Sequence, residues 1–228
     1  VTRFKEGDYV CGVLPTGSYG GGLAEFAKGT EHCFAKIVPQ ENQSHFSILP
    51  LAALTALQAI RDKAKVKQGD SVLIIGAAGG VGHYAMQIAR IFGAEVHGVS
   101  SKRHLEFLKT LGPYHFIDYQ KEDILKRGEK YQFIYDTVGK YNFVQCRHLL
   151  NKGGTYVTTL PRPKVLVHKI LSLVTQGKRV YSPLMKHNST DLEQLVKWVN
   201  EGKIKLCIDK EFPVKDIAKA HEYSEQGH

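Results

Sequence analysis

The chain has few cysteines, and their positions exclude two common structural roles. Cys11, Cys33, Cys146 and Cys207 lie far apart, with no CxxC pair and no Cys/His group at the spacing of metal ligands. This spacing supports neither a disulfide framework nor a structural zinc.

Long apolar runs are also missing. No stretch approaches the length that spans a bilayer, and the first residues, VTRFKEGDYV, do not have the pattern of a signal peptide. With 43% hydrophobic and 23% charged residues, the composition is typical of a globular protein with enough apolar material for a core. These features predict a cytoplasmic protein with no membrane partner.

The positive charge is not arranged in a strip. The net charge is +9, but the lysines are scattered and are not interleaved with aromatic residues. Such a surface is typical of solvated lysines, so nucleic acid is not expected as a partner, although the charge also suits an anionic ligand such as a phosphorylated dinucleotide.

The stretch Ser71–Arg90, SVLIIGAAGGVGHYAMQIAR, joins an apolar run to a helical pattern through a glycine turn with GxxGxxG spacing. A short strand that is apolar on both faces predicts the middle of a parallel sheet. Gly76 lets the chain leave the strand sharply, and Gly82 lets helix and strand come close. Gly79 and Gly80 leave no Cβ between the backbone and an approaching phosphate. Together with the helix N-terminus, this turn predicts a pyrophosphate site, in preference to a glycine turn that only packs.

The pattern on either side of this stretch predicts an α/β protein preceded by β structure. Short strands are predicted at Tyr9–Leu14, Leu23–Ala27 and Cys33–Val38, and a helical pattern begins at Leu51. Strands and helices then alternate at short spacing, which predicts a doubly wound parallel sheet. The later predicted elements are strands at Val96–Ser100, His115–Asp118, Phe133–Gly139, Gly153–Leu160, Arg179–Tyr181 and Leu206–Ile208, and helices at Arg103–Leu111, Tyr141–Leu150, Val165–Thr175, Leu192–Val199 and Val214–Ser224.

The residues that close the second strand indicate which dinucleotide is bound. An acid at this place would bind the free ribose hydroxyl of NAD, but the chain has Ser100, Ser101, Lys102 and Arg103 there. Hydroxyl donors and cations suit a 2′-phosphate, so NADP(H) is predicted. The alternative is that Lys102 and Arg103 only face solvent at a helix start.

Three later strand ends belong at the same edge of the sheet, the edge where ligands bind. Tyr119 follows the third strand, and it either covers the adenine end of the pocket or is a packed surface aromatic. Asp136 and Val138 end the fourth strand, where Asp136 alternatively caps the next helix. Leu160 ends the fifth strand.

Several motifs in this order resemble the zinc-independent branch of the medium-chain dehydrogenase/reductase superfamily, above all its quinone-reductase and enoyl-reductase-like members. They are LPLAALTALQAI, GDSVLIIGAAGGVGHYAMQIAR, FIDYQKEDI, FIYDTVG, GGTYV and FPVKDIAKAHEYSEQGH. The resemblance implies part of a GroES-like β domain at residues 1–50, a Rossmann domain at 51–182, and a segment at 183–228 that returns to the catalytic domain. It also implies a chain truncated at both ends and a possible homodimer.

The same resemblance implies roles for individual residues. It places Ala78, Gly79, Gly80 and Val81 on the pyrophosphate. It places Ser101, Lys102 and Tyr119 around the adenosine 2′-phosphate, Thr55 beside the nicotinamide, and Val138 and Leu160 along the cofactor cleft. The zinc-dependent relatives have a cysteine ligand in the segment that matches Leu49–Thr55 and a four-cysteine lobe, and this sequence has neither, so no metal is expected. On this comparison the 11 histidines are interpreted as scattered core or surface residues rather than as metal ligands.

The predicted function is hydride transfer from NADPH to a quinone, an enone or an alkenal. Such an acceptor needs no acid–base triad, because its oxygen takes up the negative charge, and the sequence indicates no catalytic residue of that kind. Two alternatives are a zinc-type alcohol dehydrogenase and a non-catalytic module that binds NADPH or RNA.

Overall fold

A computed structural model describes residues 2–15, 21–112, 114–160, 177–182 and 185–226. Two short strands, β1 (Val10–Gly12) and β2 (Phe34–Lys36), pair antiparallel near the amino terminus. The other strands form one parallel sheet: β3 (Ser71–Ile75), β4 (Glu95–Ser100), β5 (His115–Asp118), β6 (Tyr131–Asp136), β7 (Leu150–Thr158) and β8 (Arg179–Tyr181).

The order of the strands fixes where a ligand can bind. The parallel sheet runs β5-β4-β3-β6-β7-β8, so the chain moves outward from β3 in one direction and then returns to continue from β6 in the other. The point between β3 and β6 is the topological switch point of a doubly wound sheet, where a crevice opens at the carboxyl ends of the strands. The predicted fold class is confirmed.

Helices cover both faces of this sheet. They are α1 (Leu49–Leu57), which continues as a π-helix over Gln58–Ala64, α2 (Gly80–Ile91), α3 (Leu105–Leu111), α4 (Phe143–Cys146) and α5 (Ser189–Asn200). A further helix, α6 (Ile217–Glu225), has no buried residue. Short 3₁₀ turns lie at Glu31–Cys33, Gln43–Ile48, Lys102–His104, Ile124–Lys126, Arg147–Leu149 and Val214–Asp216.

The strand β3 separates two hydrophobic cores. Val72 and Ile74 face the core formed with α1, α2 and α5, whereas Leu73 and Ile75 face the core formed with α4. All four side chains are almost fully buried, which is why this strand has no polar residue after Ser71.

Two predicted strands are wrong. Residues Leu23–Ala27 form turns and bends, and Leu23 and Phe26 are largely exposed, so their apolar alternation does not correspond to a buried face. Residues Leu206–Ile208 form no strand and join no sheet. The backbone before them is held instead by the Gln87 side chain, which bonds the N–H and C=O of Lys205 at 2.8 and 3.3 Å.

Other predicted elements differ in extent. The helix predicted at Tyr141–Leu150 is broken into α4 and a 3₁₀ turn, and α4 begins at a capping box formed by Asn142 and Gln145. The predicted helix at Val165–Thr175 lies outside the described residues.

The segment after residue 185 is tied to the rest of the protein by side chains of the α1 and π-helix region. Gln58 bonds the C=O and N–H of Lys186 at 2.8 and 3.0 Å. Arg61 makes a two-pronged ion pair with the buried Asp191, at 2.5 and 2.9 Å. The helix α5, which carries Asp191, packs against α1 and β2. None of the described helices is long and apolar enough to cross a membrane.

Candidate functional site

The glycine turn between β3 and α2 is closed by its own backbone. The N–H groups of Gly76 and Ala77 donate to the carbonyl of Val99 at 3.1 and 3.0 Å, and the N–H of Gly79 donates to the carbonyl of Gly76 at 3.0 Å. Gly76 has φ +80°, and a Cβ there would lie 2.6 Å from Val138. The chain can make this sharp exit from the strand only with glycine at position 76.

The remaining glycines of the turn have different surroundings. A Cβ on Gly82 would overlap the carbonyl oxygen of Gly76 and lie 2.9 Å from its carbonyl carbon, so Gly82 permits close packing of helix on turn. A Cβ on Gly79 would lie 3.3 Å from the Gly76 oxygen, whereas a Cβ on Gly80 would have no neighbour within 4 Å. Gly80 therefore leaves open space outside the turn, as an approaching ligand would need.

The first turn of α2 presents free donors to this space. Gly79 is the N-cap residue, and no described side chain caps the helix there. The first N–H groups of a helix have no partner within it, and its dipole places partial positive charge at this end. The turn thus combines donors, charge and room for an anion.

A cleft of about 420 Å³ opens at this turn. The carboxyl ends of β3, β4, β5 and β6 contribute its walls, as expected at the switch point. The cleft is lined by Ile75, Gly76, Ala78, Gly79, Val99, Ser100, Ser101, His104, Tyr119, Val138, Lys140 and Tyr141.

Seven of the predicted site residues lie together in this cleft wall, namely Gly76, Ala78, Gly79, Ser100, Ser101, Tyr119 and Val138. Ser100 and Ser101 are 6% and 3% exposed, so their hydroxyls are held at the floor rather than free on the surface. Tyr119 is 44% exposed and extends along the wall. Their roles toward a cofactor stay predictions.

The other five predicted residues lie around the cleft or away from it. Gly80 and Val81 form the first turn of α2, and Lys102 is exposed in the 3₁₀ turn after β4. Thr55 lies within α1, where its hydroxyl donates to the carbonyl of Leu51 at 2.7 Å. Leu160 follows β7 and packs beside Gly139, where a Cβ would meet its side chain at 2.6 Å.

Five residues of the cleft wall were not among the predicted site residues: the apolar Ile75 and Val99 at the strand ends, and His104, Lys140 and Tyr141. Lys140 is the most informative of them, because its Nζ lies 4.5 Å from the centre of the Tyr119 ring and 5.7 Å from that of Tyr141. This arrangement brings a cation over the aromatic wall. The available signal was its position, directly after the DTVG turn at the end of β6.

Asp136 holds the turn that carries Lys140. Its buried carboxylate accepts hydrogen bonds from the N–H groups of Val138, Lys140 and Tyr141 at 3.2, 3.1 and 2.7 Å, and from the Tyr156 hydroxyl at 3.2 Å. Asp136 therefore fixes the backbone of the turn that carries the cleft residues Val138, Lys140 and Tyr141. The alternative role as a helix cap is not observed, because Asn142 caps α4.

Burial shifts the pKa values of two histidines beside the glycine turn and the cleft, and of two cysteines outside the cleft lining. Desolvation lowers the pKa of His83 in the first turn of α2, where Nδ1 lies 3.0 Å from the Gly79 carbonyl. Desolvation, with a smaller effect of Arg103, also lowers the pKa of His104. Burial raises the pKa of Cys11 and Cys146 to about 12, so neither thiol is ionised at neutral pH.

Metal ligands are not assembled at the cleft by the described residues. Within the ranges that the structure describes, three His, Cys, Asp or Glu side chains come within ligand distance only at Glu95, His97 and His115. These residues lie at the amino-terminal ends of β4 and β5, whereas the cleft lies at the carboxyl ends.

The doubly wound sheet, the bare helix N-terminus and the cleft at the switch point define a dinucleotide-binding oxidoreductase class. A family model for zinc-binding dehydrogenases matches residues 111–228. The chain belongs to this family, in the quinone oxidoreductase-like branch of the medium-chain dehydrogenase/reductase superfamily, and the predicted resemblance is confirmed.

Relatives and solved structures agree with this assignment. The chain is 34% identical to the chloroplast envelope quinone oxidoreductase homolog of Arabidopsis thaliana, covering 100% of this chain and 72% of that protein. It is 31% identical to the 2-methylene-furan-3-one reductase of Solanum lycopersicum, covering 100% of this chain and 57% of that protein. The quinone oxidoreductase from Coxiella burnetii superimposes with a TM-score of 0.87 at 32% identity, covering 100% of this chain and 71% of that one.

The comparisons confirm the enzyme class and refine two other expectations. Relatives named NAD(P)H oxidoreductase support a nicotinamide cofactor, while the choice of NADP(H) stays a prediction. The predicted cytoplasmic location is wrong on this comparison, because relatives from Arabidopsis thaliana, Spinacia oleracea and Mus musculus are named as chloroplast envelope, chloroplastic and mitochondrial proteins. Composition could not reveal this, since the globular body of an organelle protein has the same composition as a cytoplasmic one.

Proposed function

We propose that this protein reduces quinones, enones or alkenals with hydride from NADPH and without a metal. The observation that carries the proposal is the cleft at the switch point, which is lined by Gly79, the N-cap residue of an uncapped helix, next to an open Gly80. Relatives named as quinone oxidoreductases and as a furanone reductase support the acceptor class. The bound nicotinamide supplies the hydride.

The glycine turn holds the diphosphate of the cofactor. The N–H groups of Gly80 and Val81 donate to its oxygens, and Gly79 and Gly80 allow it to approach the backbone closely. Ala78 and Gly76 form the adjoining wall. Because these donors belong to a rigid helix, they are oriented before the ligand arrives.

The adenosine end lies between β4 and the aromatic wall. Ser100 and Ser101 donate from the floor, and Tyr119 covers the adenine side. Lys102 from one side and Lys140 from the other supply positive charge for a 2′-phosphate. This is why we assign NADP(H) rather than NAD(H).

The nicotinamide end lies toward Thr55, as the family resemblance implies, and we place Val138 and Leu160 beside it. Val138 and Leu160 are half exposed apolar side chains at the carboxyl edge of the sheet, and they exclude water from the reacting face. The acceptor oxygen takes its proton from water, so this scheme assigns no side chain as a general acid.

The domain division also belongs to the proposal. Residues 1–50 form part of the catalytic β domain, 51–182 the Rossmann domain, and 183–228 the segment that returns to the catalytic domain. Packing of α5 against β2 supports this return. The homodimer is likewise proposed, and sedimentation of the purified protein tests it.

Hydride transfer is tested with NADPH deuterated at C4 and an enone acceptor, after treatment with a metal chelator. We expect deuterium in the reduced product and no effect of the chelator. Absence of turnover with quinone, enone and alkenal acceptors would refute the activity, and loss of turnover on chelation would restore the alcohol dehydrogenase alternative.

Cofactor choice is tested with Lys102→Ala and Lys140→Ala. Each removes one charge-assisted contact worth about 1.5–3 kcal/mol, so NADPH affinity falls roughly ten- to hundredfold while NADH affinity is unchanged. Lys152→Ala is the matched control, since Lys152 is exposed near the start of β7, at the opposite edge of the sheet. If both variants bind NADPH as the wild type does, the 2′-phosphate assignment fails.

A further inference from the structure

The amino-terminal ends of β4 and β5 bring together three side chains that sequence spacing alone does not group. Glu95 and His97 lie on the same face of β4, because side chains two residues apart in a strand share a face. His115 on β5 is the direct register partner of His97. The two imidazole rings stack with their centres 4.5 Å apart.

The carboxylate of this group lies at the distance from each imidazole that tetrahedral metal coordination requires, and all three ligand atoms lie within 4.8 Å of one another. Oε1 of Glu95 lies 3.4 Å from Nε2 of His97 and 3.1 Å from Nε2 of His115. Two ligand atoms that each lie about 2.0–2.1 Å from a zinc ion are roughly 3.3 Å apart at the tetrahedral angle. Two imidazoles and one carboxylate also form a typical donor set for Zn²⁺ and related transition metals.

The surroundings leave the His97 imidazole short of partners. His97 is 7% exposed, and its Nδ1 is buried with no hydrogen-bond partner among the described residues. Its Nε2 has only the long contact to Glu95. A metal ion on Nε2 would replace this weak contact with a coordinate bond.

The positive charge of Arg127 near the group is offset by ion pairs. The neighbouring Arg127 is already paired with Glu122 and Glu129, at 2.6 Å each. Glu95 and His115 remain exposed, so an ion can reach the site from solvent.

We propose that Glu95, His97 and His115 form a binding site for a divalent transition metal, with water completing the coordination. The site is separate from the cofactor cleft, because Glu95 and Ser100 stand at opposite ends of β4, roughly 16 Å apart at about 3.3 Å per residue. Its metal clamps the edge strand β5 to β4 and takes no part in hydride transfer.

The test titrates Zn²⁺, and Co²⁺ as a spectroscopic probe, into the full chain. We expect one saturable site, a ligand-field absorption band for Co²⁺ and a higher thermal unfolding temperature with Zn²⁺. Glu95→Gln and His115→Gln each weaken binding at least about tenfold, the lower end of the loss seen even for an outer-shell partner. Both side chains are exposed, so neither change disturbs the core.

His221→Gln is the matched control, because His221 is an exposed histidine of α6 outside the group. It leaves metal affinity unchanged. The proposal is overturned if the wild type shows no saturable binding, or if His115→Gln and Glu95→Gln bind the metal as tightly as the control. A cooperative unfolding transition measured without metal establishes that each variant is folded. We expect all variants to bind NADPH with the affinity of the wild type.

Discussion

The two glycines of the first turn of α2 allow phosphate binding to be separated from folding. Gly80→Ala adds a methyl group where no atom lies within 4 Å, so the protein remains as stable or gains up to about 1 kcal/mol from better helix propensity. If a phosphate of the cofactor approaches Gly80 closely, the added methyl group occupies the space that the phosphate needs. Loss of one charge-assisted contact then lowers NADPH affinity at least about tenfold.

Gly82→Ala makes the same chemical change two residues later with the opposite result. Its methyl group would overlap the Gly76 carbonyl, and backbone atoms cannot move aside cheaply. Overpacking of this kind destabilises by about 1–3 kcal/mol or more.

The assay for this pair is urea unfolding together with fluorescence titration of NADPH. We expect Gly80→Ala to lose affinity at full stability and Gly82→Ala to lose stability. If Gly80→Ala binds NADPH as the wild type does, the phosphate does not lie over this turn and the reasoning is refuted.

Two further predictions concern the wall of the cleft and the pH dependence of stability. Asp136→Asn places an amide N–H where a carboxylate oxygen accepts the hydrogen bond from the Tyr141 N–H, and this lowers the free energy of unfolding by about 3 kcal/mol. Asp123→Asn is the control, because Asp123 is an exposed helix cap and its replacement is nearly neutral. Both variants are measured by denaturant titration. Equal effects of the two changes would contradict this role of Asp136. The lowered pKa of His83 means that the unfolded chain takes up a proton more readily than the folded one, so stability is lost as pH falls below about 6.5, the ordinary value. Asn at position 83 does not titrate and can donate an N–H toward the Gly79 carbonyl. His83→Asn therefore makes the free energy of unfolding less dependent on pH, as measured by unfolding titrations above and below pH 6.5. If the free energy of unfolding changes with pH as in the wild type, His83 does not contribute.

The sequence predicted best what depends on short, strongly patterned stretches. The apolar run of β3, the glycine turn and the stripe of α2 all follow from contacts within a few residues, and the structure has all three. The alternation of strands and helices then fixed the parallel sheet, because few chain paths can connect such elements.

The features that were not predicted correctly from the sequence depend on contacts between distant segments. Leu23–Ala27 has the alternation of a strand, but no neighbouring strand pairs with it in the described structure. Lys140 reaches Tyr119 only because β5 and β6 end at the same edge of the sheet. His115 joins Glu95 through strand register, which no spacing along the chain reveals.

The most direct test of the central claim is a crystal structure of the protein with NADPH. The account predicts electron density for the diphosphate at the N–H groups of Gly80 and Val81, with the adenosine between Ser101 and Tyr119. A nucleotide bound elsewhere on the protein, with the glycine turn facing only solvent, would contradict it.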